Sequence, residues 1–293
     1  MKFTAKKPIP LKIKKIQYFI LTKSIGFYIN SLGIFFPKKA AQLAYKIFSQ
    51  PRIGKLNPLA IPDFLKSANR KTIDYQHHKI QTYTWQGNKN VILLLHGWES
   101  NSMRWKKLFP YLQKTGSTII AIDAPAHGLS SGSEFNAILY SEFVKTAVDT
   151  FQPDAIIGHS VGGMSSYYYQ YKHQSPKINK LVLLGAPSDL RVIFSNYVQL
   201  LSLNLTMKKA LENFFVTKFQ FQLNDFSGEV FCQHIPIKAI IAHDVKDKIV
   251  AYSEGEKLAK SYKNAKFITT KGFGHSLHQE ALYLEVAVFL SGA

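Results

Sequence analysis

The chain has 293 residues, 46% of them hydrophobic, and a formal net charge of +19 at pH 7. That is enough to bury a sizeable core, in one large domain or in one domain with an appendage. Cys232 is the only cysteine, which excludes an internal disulfide bond and fits a reducing compartment. No spacing of Cys and His suggests a zinc site, so no metal is predicted.

Positive charge is concentrated at the N-terminus. Twelve of the 19 net charges come from the first 62 residues, which contain no Asp or Glu. Such a segment is attracted to anionic surfaces, either lipid headgroups or nucleic acid, unless it is simply a solvated lysine-rich surface. No zinc finger, RRM-like signature or evident helix-turn-helix is present, so no specific nucleic-acid partner is predicted. We expect a cytoplasmic protein, with peripheral membrane contact through this segment as the alternative.

The first predicted helix is IQYFILTKSIGFYINSLGIFF, which Pro37 ends. A membrane span is disfavoured because Lys23 and Asn30 would lie inside the bilayer, and no small-residue cleavage site follows directly. The apolar residues at helical spacing are Tyr18, Leu21, Ile25, Tyr28, Leu32 and Phe36. This stripe indicates packing on the main domain, or an interfacial helix or signal anchor. A second helix is expected around 39–48, and 1–70 is interpreted as a basic helical extension.

From Thr72 onward strands and helices alternate. TIDYQ and KIQTYTW predict a two-stranded hairpin around two histidines. Strands are predicted in VILLLHGW, STIIAIDAP, DAIIGHS, KLVLLGAP, IKAIIAHD and AKFITTKG, with helices between most of them. The continuous apolar run of VILLLHGW indicates a strand buried on both faces. This order is typical of an α/β fold with a mostly parallel, twisted sheet and helices on both faces, here over 71–293. From about 188 to 235 the pattern is helical and predicts a cap insertion.

Gly158-His159-Ser160-Val161-Gly162 stands where a predicted buried strand meets a helix. A turn this sharp strains Ser160, and Gly158 and Gly162 must be small because backbone passes close by. The turn exposes the hydroxyl at the carboxyl end of the sheet, beside the amides of a helix N-terminus. A serine nucleophile needs a base, and the base needs an acid to orient it. The downstream candidates are Asp244, Asp247, His275 and His278.

These motifs resemble the α/β-hydrolase superfamily over roughly 80–293. In that family the acid lies in a D-x-x-V pattern, which Asp247 begins here, and the histidine follows a glycine, as His275 does. The resemblance therefore implies a Ser160–His275–Asp247 triad.

The resemblance also includes LLLHGW, whose His96 and Gly97 match the family's strand ending in His-Gly. The backbone N–H groups of Trp98 and Val161 would then form the oxyanion hole. The Trp98 indole is interpreted either as a wall of the acyl pocket or as a packed side chain.

The implied activity is that of a serine esterase or lipase-like enzyme. It would cleave a small-molecule carboxylic ester, lipid-like or long-acyl, through an acyl-enzyme and without a cofactor. The alternatives are a thioesterase or acyltransferase on the same triad, and a non-catalytic ligand-binding homologue. The oligomeric state is not predicted.

Overall fold

A computed structural model describes residues 11–292 of the protein. Within these residues eight strands form one sheet, in the order β1-β2-β4-β3-β5-β6-β7-β8. The strands are β1 (Asn69–Tyr75), β2 (His78–Trp85), β3 (Asn88–Leu95), β4 (Ser117–Ile122), β5 (Ala155–His159), β6 (Lys180–Leu184), β7 (Lys238–Asp244) and β8 (Ala265–Thr270). β2 pairs antiparallel with β1 and β4, and the other pairings are parallel. The predicted mostly parallel sheet and the hairpin are confirmed.

Helices follow most strands, and eleven lie in the described residues. They are α1 (Leu11–Phe35), α2 (Pro37–Ser49), α3 (Asp63–Lys66), α4 (Phe109–Gln113), α5 (Ala137–Phe151), α6 (Val161–His173), α7 (Leu190–Leu201), α8 (Leu205–Phe219), α9 (Gly228–Gln233), α10 (Tyr252–Ser261) and α11 (Glu280–Ser291). Between 190 and 235 the chain is helical, as predicted. Among the described helices, none has the length and apolar character needed to cross a membrane.

The described residues cluster into two compact units. One joins the residues as far as Phe48 with Arg191–Phe226, and the other joins Ser49–Leu190 with the residues from Ser227 onward. The second unit contains the sheet, whose central strands are buried on both faces, as their continuous apolar runs require. The predicted boundaries at 70, 188 and 235, and the role of the insertion as a cap, stay predictions.

Aromatic rings form the centre of the first unit. The Tyr45 ring on α2 lies 5.3 Å from the Phe215 ring on α8, and Phe48 lies 5.0 Å from Tyr197 on α7. The Tyr197 hydroxyl also donates to the carbonyl of Ala44 at 2.7 Å, which satisfies the one polar atom of a buried ring. Burial and edge contacts between these rings therefore hold α2, α7 and α8 together.

Helix α1 packs through a face of small residues. Thr22, Gly26, Ile29 and Gly33 are its buried positions, and they recur at spacings of three and four. A side-chain carbon at Gly26 would lie 1.6 Å from the Leu201 carbonyl oxygen, so only glycine permits this approach. The prediction that the stripe of large apolar residues packs is wrong, because four of its six members are exposed: Tyr18, Leu21, Tyr28 and Phe36.

We expect Gly26→Val to destabilise the protein by about 1–3 kcal/mol, because the new side chain overlaps the backbone at Leu201. Ser24→Val is the matched control, because it places the same β-branched residue on the exposed side of the same helix. Urea unfolding of both variants measures the difference. Equal midpoints for the two variants would show that α1 does not depend on this close contact.

Candidate active site

Ser160 occupies a strained turn between β5 and α6, with φ 54° and ψ −125°. The positions on either side of this turn must be glycine because neighbouring backbone lies too close for a side chain. A side-chain carbon at Gly158 would lie 2.5 Å from the Cα of Gly163, and one at Gly162 would lie 2.3 Å from the Leu95 carbonyl oxygen. A non-glycine residue at positive φ costs about 1–3 kcal/mol, and it persists where the surroundings fix it. Buried strand and helix on either side of Ser160 supply that constraint.

Asp247 and His275 form a hydrogen-bonded pair. The Nδ1–H of His275 donates to the Oδ2 of Asp247 at 2.7 Å. The Oδ1 of this buried carboxylate accepts from the backbone N–H groups of Ile249 and Val250, at 2.8 and 3.0 Å. Burial alone raises the pKa of Asp247, but hydrogen bonds from His243 and His275 outweigh it and hold the pKa well below its usual range. Asp247 is therefore ionised at neutral pH and orients the His275 ring through the hydrogen bond from Nδ1–H.

His275 lies beside the turn that presents Ser160. The ring of His159, the residue before Ser160, lies 4.8 Å from the His275 ring, and its Nε2–H donates to the His275 carbonyl at 2.8 Å. Within the described residues the Ser160 hydroxyl makes no hydrogen bond to His275. Such a bond is often long before substrate binds.

The end of β3 approaches the same turn. His96 donates from Nδ1 to the Gly97 carbonyl at 2.8 Å, and its Nε2 accepts from the Ala124 N–H at 2.9 Å. Burial lowers the pKa of His96 to about 4, so the ring is neutral. It links Gly97, after β3, to Ala124, after β4. A side-chain carbon at Gly97 would lie 2.8 Å from the Cβ of Ser160, which shows how closely this strand end passes the serine.

The two predicted oxyanion donors are unengaged. In the described part of the chain, neither the N–H of Trp98 nor that of Val161 donates a hydrogen bond to a protein group. The Trp98 indole packs against Phe135, with ring centres 5.3 Å apart. Two free amides that flank a strained serine are the arrangement that stabilises a developing oxyanion.

Asp244, the alternative acid, has a different environment. Its buried carboxylate accepts from the Thr270 hydroxyl at 2.8 Å, the Phe273 N–H at 2.9 Å and the Lys246 N–H at 2.8 Å. Burial raises its pKa, and these hydrogen bonds more than reverse that effect and lower the pKa to about 2. Asp244 therefore joins the loop of Asp247 to the loop of His275. The alternative base, His278, instead contacts the Tyr283 hydroxyl.

Three further side chains were missed by the sequence analysis. His243 is fully buried in β7 with its Nε2 3.4 Å from the Oδ2 of Asp247, so Asp247 faces two imidazoles. Arg104 donates to the Ser276 carbonyl at 2.7 Å, and His159 donates to the neighbouring carbonyl of His275. Arg104 and His159 act on a loop far away in the sequence, whereas His243 lies only four residues from Asp247.

A cavity of about 380 Å³ opens beside His275. Its lining is Lys246, Lys248, Ile249, Gly272, Phe273, Gly274 and His275. Among the described residues, no group of three or more His, Cys, Asp or Glu is placed to hold a metal ion.

Comparison with known proteins agrees with the observed fold. A family model described as the alpha/beta hydrolase fold matches residues 90–234. The solved structure of mouse alpha/beta hydrolase domain-containing protein 10 aligns with a TM-score of 0.61 at 16% identity, over 77% of this chain and 98% of that one. The chain belongs to the α/β-hydrolase superfamily.

Among curated relatives of this chain, the AB hydrolase superfamily protein YisY of Bacillus subtilis is 29% identical over 106 residues. That match covers 34% of this chain and only 39% of the Bacillus protein. A bifunctional esterase/perhydrolase of Acinetobacter calcoaceticus is 23% identical over 239 residues, covering 64% of this chain and 85% of that protein. The chain thus spans less than half the length of the Bacillus relative, and neither match assigns it a substrate.

We expect Asp244→Asn to destabilise the hydrolase at pH 7 by about 1–3 kcal/mol, because an amide nitrogen cannot accept from the buried donors. The folded pKa of Asp244 lies below its unfolded value, so its contribution is full above about pH 4 and is lost as pH falls toward 2. Denaturant unfolding at several pH values measures this. Asp63→Asn, at an exposed carboxylate, is the control. A difference between wild type and Asp244→Asn that stays constant below pH 4 would contradict the assignment.

Proposed function

We propose that this hydrolase cleaves carboxylic esters through a Ser160–His275–Asp247 triad. The observation that supports it most is the hydrogen bond from His275 Nδ1 to the buried Asp247, in a loop anchored beside the strained Ser160. That bond leaves the Nε2 of His275 with a lone pair, which is what a general base for serine requires.

The reaction would proceed in two halves. The Ser160 oxygen bonds to the acyl carbon as its proton passes to His275, and the imidazolium then protonates the leaving alkoxide as the ester bond breaks. Water repeats the sequence on the acyl-enzyme and releases a carboxylic acid and free Ser160. The N–H groups of Trp98 and Val161 would hold the oxyanion in both halves.

Only the similarity to a curated relative favours an ester over other acyl substrates. The Acinetobacter relative, whose match covers 64% of this chain, is a bifunctional esterase/perhydrolase. A thioesterase or an acyltransferase would use the same serine and the same acyl-enzyme. The difference lies in the leaving group and in the acceptor, and both require a direct assay.

We expect a fluorophosphonate probe to label the wild-type protein and not Ser160→Ala, because the probe needs an activated serine and no particular substrate. Ser276→Ala removes an exposed hydroxyl beside His275 and is expected to label normally. His275→Gln and Asp247→Asn should each slow labelling by about 10³-fold or more.

Activity is then compared on nitrophenyl esters of increasing acyl length and on thioesters with the same acyl groups. Faster turnover of the thioester would favour the thioesterase alternative. A wild-type protein that unfolds cooperatively and is not labelled would contradict the proposed function and favour a ligand-binding homologue.

A further inference from the structure

The exposed apolar surface of the protein is concentrated on one segment. Of the twenty large apolar side chains that are exposed among the described residues, ten lie between 16 and 36. They are Ile16, Tyr18, Phe19, Ile20, Leu21, Phe27, Tyr28, Ile34, Phe35 and Phe36. Clusters of this size on a folded protein mark surfaces that bind another molecule.

Seven of these residues form one continuous face of α1. Successive residues turn by about 100° around a helix, which places this set opposite the packed face that contains Gly26 and Gly33. We call it the outer face, and it consists of Ile16, Ile20, Leu21, Phe27, Tyr28, Ile34 and Phe35. Only Gln17, Ser24 and Ser31 lie between them, so the outer face has no charge.

Two polar side chains of α1, those of Lys23 and Asn30, are engaged with the protein. The Lys23 ammonium donates to the Leu200 carbonyl at 2.9 Å and the Ser202 hydroxyl at 2.7 Å. The Asn30 amide donates to the Ser202 carbonyl and accepts from the Asn204 N–H, both at 3.0 Å. The helix is therefore inverted relative to an ordinary surface helix, since Lys23 and Asn30 face protein while its large apolar side chains are exposed.

Lysines flank the outer face at both ends. Lys14 and Lys15 precede it, Lys38 and Lys39 follow it, and the sequence has no acidic residue before Asp63. Two copies joined through this face would bring like charges together, whereas anionic headgroups complement them. We propose that α1 lies in the headgroup region of an anionic bilayer, with its outer face buried among the acyl chains.

This inference rests on α1 and is independent of the proposed esterase activity. An interfacial helix buries an apolar side while the opposite side stays polar, and here the packed protein takes the place of the polar side. Lysine side chains such as those of Lys38 and Lys39 are long enough to reach headgroups while their aliphatic stems contact apolar surface. Binding should therefore need both the outer face and the lysines.

The test is flotation of the full chain with vesicles of phosphatidylcholine, with or without about 30% phosphatidylglycerol. We expect binding to the anionic vesicles, with a several-fold loss in about 0.5 M salt, where exposed charges are screened. Phe27→Asn combined with Ile34→Asn should weaken binding about tenfold or more. Lys38→Gln with Lys39→Gln should weaken binding only to anionic vesicles.

The matched control is Leu59→Asn combined with Leu205→Asn, at side chains that are 95% and 76% exposed outside α1, and it should bind as wild type does. Equal flotation of both double variants, or no flotation of wild type at low salt, would overturn the proposal.

Light scattering without vesicles tests whether the outer face instead binds a second copy of the chain. A wild-type dimer that dissociates in the Phe27→Asn, Ile34→Asn variant would assign the outer face to a second copy. Repeating flotation with Ser160→Ala separates the result from catalysis.

Discussion

The candidate site depends on how closely three pieces of backbone approach one another around Ser160. A side-chain carbon at Gly158, Gly162 or Gly97 would overlap neighbouring atoms at 2.3 to 2.8 Å. The turn is therefore held against the end of β3 with no space for relaxation, and this contact sustains the positive φ of Ser160. The same contact brings the end of β3, which precedes Trp98, close to Ser160.

The remaining parts of the site are positioned by buried polar groups that bond to loop backbone. Asp244 holds the N–H of Phe273, and His159 and Arg104 hold the carbonyls of His275 and Ser276. The His275 loop is therefore fixed by donors and acceptors on three separate elements. Burial keeps His159 neutral by lowering its pKa, so the ring donates a hydrogen bond without adding a charge beside the His275–Asp247 pair.

Most of the sheet and the strained serine turn could be predicted because their signals are local. Continuous apolar runs identify buried strands, and a serine between glycines at a strand–helix junction identifies the turn. The contacts of Asp244 and Arg104 with the His275 loop could not, since each joins segments that are distant in sequence. His243 lies four residues from Asp247, but no sequence motif marks their contact. The resemblance to a family favoured Asp247 over Asp244, and no local property of either residue distinguishes them.

Of the two alternatives predicted for the large apolar residues of α1, packing on protein is wrong, and the reason is physical. An interpretation from sequence periodicity assumes that the larger apolar side chains are buried. In α1 the glycines permit a closer approach of two backbones, so the face of small residues packs instead. Lys23 and Asn30, which argue against a membrane span, find their partners at the C-terminus of α7 and the N-terminus of α8. The Lys23 ammonium is favourable at a helix C-terminus, and the Asn30 side chain accepts from the Asn204 N–H, which has no partner within its own helix. The same polar residues that exclude a span therefore fix the helix so that its apolar side faces outward.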